Sequence, residues 1–135
     1  QLEVGSVATD FESKSFGQEL ALCARYYQLI VSGTNKAIAI GYAYNAQYGD
    51  AVVDCPMGAM RATPTLDYTY GSDYYSLAGA ATSGFHIDGT ILIEHGTTTR
   101  LNIYYDADAG LGSASTAHYL RTNNSSAYLA FTSEL

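Results

Sequence analysis

The chain has 135 residues, enough for one domain with its own core, and its 47% hydrophobic against 14% charged content excludes a disordered polymer. Thirteen acidic residues against six basic ones give a net charge of −7, with Lys14, Arg25, Lys36, Arg61, Arg100 and Arg121 scattered. That excludes nucleic-acid binding and attraction to anionic membranes, which need clustered cations; membrane insertion is excluded too, because no apolar run approaches the about 20 residues that span a bilayer.

Gln1-Leu2-Glu3-Val4 alternates like a strand and has neither the charged n-region nor the apolar h-region of a signal peptide. Opening on Gln1, residues 1–14 read as an extended linker from an upstream domain, and 15–135 as one β-rich domain. Ser15-Phe16-Gly17-Gln18 has the form of a capping box and predicts a helix over about 16–28. Phe16, Leu20, Cys23, Ala24 and Tyr27 recur at helical spacing, a stripe that needs either the sheet or symmetry mates as its partner.

Strand text follows, starting with Leu29-Ile30-Val31 and a turn at Gly33-Thr34-Asn35. Residues 36–45 set Ile38, Ile40, Tyr42 and Tyr44 against Ala37, Ala39, Gly41 and Ala43, large on one face and small on the other. Both faces are apolar and both are expected to be covered. A short strand runs from Asp50 to Asp54, and Pro56 and Gly58 then interrupt the pattern. Pro64 marks an edge or a bulge, because proline cannot donate to a ladder. Thr65–Tyr70 alternates, Gly71-Ser72 turns, and Tyr74–Leu77 forms a short strand before a small-residue loop at 78–84. Asp88-Gly89 predicts a hairpin joining strands at 85–87 and 90–94. The meander continues through 100–105, a Gly/Ala/Ser loop at 106–116, and strands at 118–121 and 127–132. The pattern predicts a mainly β fold, an antiparallel β-sandwich or jelly-roll-like domain with one short N-terminal helix.

Thirteen tyrosines and no tryptophan stand out. A tyrosine pair on a strand puts one ring on each face, so about half of these rings are expected in the core. An exposed tyrosine offers a flat apolar face with a hydroxyl, and beside Asp or Asn it suits a sugar ring; β-propensity and subunit packing are the structural alternative. The loop-proximal group Tyr48, Tyr68, Tyr70, Asp73, Tyr74 and Tyr75 is the candidate ligand site. Cys23 and Cys55 are expected as buried free thiols, with a disulfide between them as the alternative, and there is no C-x-x-C for zinc or redox chemistry. Asp106-Ala107-Asp108-Ala109-Gly110 lacks the further ligands of a calcium loop and reads as a flexible acidic loop. His86 and His95 are placed on neighbouring strands of the 85–95 hairpin, as ordinary strand residues. No G-x-S-x-G elbow supports a nucleophile, and Asp88 and Glu94 are only nominal carboxylates for glycan cleavage, so no catalytic residue, metal site or cofactor is assigned.

Three blocks carry a resemblance: Gln1 to Thr9 with Asp10-Phe11-Glu12 and Glu19 to Tyr27; Met60-Arg61-Ala62-Thr63-Pro64-Thr65; and the ending Tyr128 to Leu135. Together they resemble the junction and C-terminal domain of phage and prophage tail-fibre and appendage proteins, where a carbohydrate-binding-like sandwich gives way to a terminal domain. Asp10 stands where such families usually have proline. The resemblance implies a non-enzymatic receptor-binding tip of a virion that attaches to a bacterial surface glycan, with other virion proteins upstream of Gln1. It also implies a homotrimer, whose candidate interface is the helix stripe and the 36–45 strand: Phe16, Leu20, Tyr27, Ile38, Ile40, Tyr42 and Tyr44. Met60–Thr65 would be an inner strand, and the receptor site would lie far from Gln1, on loops between tyrosine strands. The alternatives are a structural decoration or adaptor domain without a receptor, and a glycan depolymerase.

Overall fold

The computed structural model describes residues 13–79, 85–87, 90–107, 111 and 116–133, with Phe85 described by its backbone alone. Among these, the helix α1 (Phe16–Cys23) precedes ten strands: β1 (Tyr27–Ser32), β2 (Ala37–Ala43), β3 (Tyr48–Asp54), β4 (Thr65–Tyr68), β5 (Tyr75–Ala78), β6 (Phe85–His86), β7 (Ile91–Gly96), β8 (Arg100–Asp106), β9 (Ala117–Thr122) and β10 (Tyr128–Thr132). They form two antiparallel sheets, β1-β10-β4 and β6-β5-β9-β2-β3-β8-β7. One hydrophobic cluster draws on both sheets: Val31, Leu129 and Phe131 from the smaller, and Ala51, Val53, Leu77, Leu101, Ile103 and Leu120 from the larger. The fold is therefore mainly β with two layers and one short helix, as the strand pattern predicts.

The capping box is present, with the Gln18 amide donating to Ser15 Oγ at 3.3 Å and the Ser15 amide donating to Gln18 Oε1 at 2.9 Å. The helix is shorter than expected. It ends at Cys23 with Ala24 as C-cap, and the chain enters β1 at Tyr27, which pairs with Thr132. Gln28-Leu29-Ile30-Val31 is strand-forming text, and pairing with β10 overrides the helical stripe. Tyr27 is thus a strand residue. Of the expected stripe, Ala24 is buried while Phe16, Leu20 and Cys23 are exposed, and no residue of α1 itself is buried. Cys23 is therefore an exposed thiol and only Cys55 is buried, its thiol 3.6 Å from the Thr98 carbonyl and raised in pKa by burial; both are free.

Strand β2 keeps the predicted alternation with a fault near its start. Gly41 and Ala43 face the core, while Ile40 and Tyr42, with Tyr44 beyond the strand end, are exposed on the outer face. A register shift between Ala37 and Ala39 opposite β9 breaks the parity, and Ile38 packs against the core. The small face is small because Tyr105 crosses it. A β-carbon on Gly49 would come within 2.7 Å of that ring, and one on Gly41 would collide with the Tyr105 hydroxyl and the Asp50 carbonyl.

Two further expectations fail. Strand β6 pairs with β5, and β7 with β8, at opposite margins of the seven-strand order, so the 85–95 hairpin does not form and His86 and His95 are not on neighbouring strands. The Asp88-Gly89 turn itself lies outside the described residues. Residues 59–64 are irregular rather than an inner strand. There the Met60 amide donates to the Thr98 carbonyl at 2.7 Å, and the Ala62 amide to Ser133 Oγ at 2.9 Å. Pro64 does precede an edge, since β4 is a margin of the three-stranded sheet. Residues 1–12, Asp108 to Gly110, and Glu134-Leu135 also fall outside the described residues. No described helix is long and apolar enough to cross a membrane.

Candidate functional site

On the three-stranded sheet, Leu129 and Phe131 point into the core, which leaves Tyr128, Ala130 and Thr132 of β10 on the outer face. Register places Tyr27 and Thr65 beside Thr132, and Leu29 and Asp67 beside Ala130. Ala130 is fully covered although it faces outward, because it is short and its neighbours on either side are tall. The result is an open groove of about 490 Å³ lined by Tyr27, Thr65, Leu66, Asp67 and Thr132.

The groove's polar groups are held in place. The Tyr128 hydroxyl donates to Asp67 Oδ1 at 2.8 Å, which fixes the carboxylate. That bond, then burial, raises the Tyr128 pKa, so the phenol stays a donor to Asp67. The Thr65 hydroxyl donates to the Thr132 carbonyl at 3.2 Å and so turns its lone pairs to solvent. Tyr27 is exposed and supplies an aromatic wall. Among the described residues the groove lining contains no Lys, Arg or His.

The outer face of the seven-stranded sheet has a different character. One cross-strand row joins Tyr42, Asp50, Tyr104 and Leu92; the next joins Tyr119 to Ile40 and Val52 to Asn102. Ile40, 69% exposed, and Tyr44, Val52, Leu92 and Tyr119 make this face apolar and open. Asp50 is only 4% exposed, roofed by its tyrosine neighbours. The Tyr42 hydroxyl donates to its Oδ2 at 3.2 Å, and Oδ1 has no hydrogen-bond partner among the described residues. The hydrogen bond to Asp50 is the main cause that raises the Tyr42 pKa. Tyr48 stacks on Tyr104 with ring centroids 5.2 Å apart.

The predicted ligand residues do not converge. Tyr75 is 2% exposed, and its hydroxyl donates to the Tyr128 carbonyl inside the molecule, so it presents no ring to a ligand. Tyr68 lies against it at 6.3 Å between ring centroids and accepts the Ile91 amide at 3.3 Å. Tyr74 is partly buried against the core, and Tyr48 belongs to the large sheet's outer face. Tyr70, 65% exposed, and Asp73 both lie on the turn at 69–74, at the end of the small sheet away from α1. Asp73 holds a left-handed backbone (φ 70°), and its Oδ1 is 2.7 Å from His86 Nδ1.

Of the predicted interface residues, Phe16, Leu20, Ile40, Tyr42 and Tyr44 are exposed, Ile38 packs on the core, and Tyr27 lines the groove. Sequence reasoning missed Asp67, Thr65, Thr132 and Tyr128. The signal for the first two is the alternation Thr65-Leu66-Asp67, which sets hydroxyl and carboxylate on one face. Among the described residues no cluster of three or more His, Cys, Asp or Glu could hold a metal ion. Protein-family models, curated proteins and solved structures contain no match to this chain.

Proposed function

We propose that this domain is a non-enzymatic receptor-binding tip of a phage tail fibre that attaches to a bacterial surface glycan. The carrying observation is the groove in which the Tyr27 ring, the fixed Asp67 carboxylate and the Thr65 and Thr132 side chains meet. A sugar ring has an apolar face for the tyrosine and a rim of hydroxyls for the carboxylate and threonines, so one ligand class satisfies all of these groups. Glycoside hydrolysis in its usual form needs two carboxylates flanking the scissile bond, and among the described residues the groove lining has one, Asp67, which suits holding a glycan. The virion setting rests on the resemblance of the Gln1–Tyr27 block. The groove sits at the α1 end of the small sheet, so this reading departs from the expectation of a site far from Gln1 on loops between tyrosine strands. A homotrimer would hold three such grooves, and avidity across many of them makes weak single sites sufficient.

A second reading, a structural decoration or adaptor domain, draws on a separate observation: the open apolar face with Ile40, Val52, Leu92 and Tyr119 suits burial against another subunit. A glycan array and a host-cell binding assay, run with the oligomeric mass measured alongside, separate the two. Binding to cells or glycans by an oligomer is the expected result. A monomer that binds neither would overturn the receptor reading.

A further inference from the structure

The groove also restricts which saccharide it takes. Its described lining has a carboxylate, an aromatic ring and threonine side chains and no cation, and all six Lys and Arg of the chain are among the described residues. An ionised carboxylate only accepts hydrogen bonds, so it selects partners rich in donors and repels anions. Asp67 Oδ1 is occupied by the Tyr128 hydroxyl, which leaves Oδ2 as the acceptor toward the groove. Thr65 spends its proton on the Thr132 carbonyl and therefore offers lone pairs, a second acceptor directed at ligand hydroxyls. Across the floor, in the same row as Thr65 and Thr132, stands the exposed ring of Tyr27. The whole chain reinforces the sign of the site, since acids outnumber bases thirteen to six.

Resting on the glycan-binding reading above, we propose that the Tyr27–Asp67 groove binds an uncharged hexose unit of a glycan, stacked on Tyr27 with two of its hydroxyls donating to Asp67 and Thr65, and rejects uronic, sialic and phosphorylated sugars. Anionic units place a second negative charge beside a carboxylate that no groove-lining cation offsets. Phosphate binding elsewhere in proteins relies on Arg, Lys or helix N-termini, and none of these lines this groove.

The test uses the full chain with its Asp67→Asn, Tyr27→Ala and Tyr70→Ala variants on an array holding neutral, uronic, sialylated and phosphorylated glycans. Circular dichroism checks each fold, and Asn can keep accepting the Tyr128 hydroxyl. The wild type is expected to bind neutral glycans. Asp67→Asn and Tyr27→Ala should each weaken that binding by about ten-fold or more, as expected for a charged hydrogen bond or a stacked ring, while Tyr70→Ala leaves it unchanged. Asp67→Asn should also admit anionic glycans that the wild type rejects. If Tyr70→Ala abolishes binding and both groove variants retain it, the site lies on the 69–74 turn; the groove assignment falls and the receptor reading survives. Wild-type preference for anionic glycans overturns the proposed selectivity. Failure of the wild type to bind any glycan or host cell overturns the groove and the receptor reading together.

Discussion

Tyr105 shows how much one buried side chain can organise. Its ring lies across Gly41 and Gly49 on two adjacent strands, and its hydroxyl hydrogen-bonds His118 Nε2 and lies 3.3 Å from the Asp50 carbonyl. A tyrosine this deep needs partners for its hydroxyl and room for its ring. The glycines supply the room by lacking a β-carbon, so their value here is clearance rather than backbone freedom. Gly49→Ala would set a methyl 2.7 Å from the ring edge, flanked by paired strands that cannot retreat. We expect it to destabilise the fold by about 1–3 kcal/mol, the usual range for overpacking. Urea unfolding of the variant beside the wild type checks this, and an unchanged midpoint would show that Tyr105 has another rotamer available. In the sequence, Gly41 and Gly49 are legible as small-face residues. What they make room for is not, because Tyr105 arrives from a strand far along the chain.

At the scale of elements, strand parity is legible and pairing is less so. The alternation Ile40-Gly41-Tyr42-Ala43 puts the correct residues inside and outside, because period-2 geometry is local. The helix end and the 85–95 hairpin are misread for the converse reason. The stripe from Phe16 to Tyr27 and the Asp88-Gly89 turn are local signals; β10 claims Tyr27 through a distant contact, while the two expected hairpin strands pair with their other neighbours in chain order, β6 with β5 and β7 with β8 across the turn at 97–99. The groove is hidden in the same way, since Tyr27, Asp67 and Thr132 come from three strands far apart in the chain.

Helix α1 poses a sharper question. It has eight residues, buries none of them and shows Phe16 at 82% exposure, whereas helices shorter than about 12 residues are marginal in water without packing. Its capping box supplies roughly 1 kcal/mol, too little to hold it alone. If α1 is the trimer contact, replacing Phe16 and Leu20 with serine should lower the oligomeric mass in sedimentation and leave the β-sheet circular dichroism intact. The cost to the isolated subunit should stay within about 0.5 kcal/mol, as for exposed positions generally. Unchanged mass would remove the helix from the interface and leave the outer face of β2 as the remaining candidate.

For the whole molecule, buried titratable groups set the pH range of stability. His118 is 2% exposed, and burial, its largest influence, lowers its pKa; a backbone hydrogen bond with Thr116 opposes that effect. Its depressed folded pKa means that the unfolded chain takes up the proton first. Stability is therefore full above the unfolded value of about 6.5 and declines as pH falls below it, until the folded histidine also protonates. Tyr75 and Tyr105 are shifted the other way, their pKa values raised well above 10 chiefly by burial. Their contribution is complete below the unfolded value of about 10 and is lost as pH rises beyond it, because the unfolded phenols ionise first. The contributions of these three groups are all complete between about pH 7 and pH 10. Urea unfolding at pH 5, 7, 9 and 11 tests both limbs. Tyr105→Phe should flatten the decline above pH 10, and His118→Gln the decline below pH 6.5, although each variant starts less stable at pH 8 because it breaks the Tyr105–His118 bond. An acid limb as steep in His118→Gln as in the wild type would assign that loss to the carboxylates and remove His118 as its source.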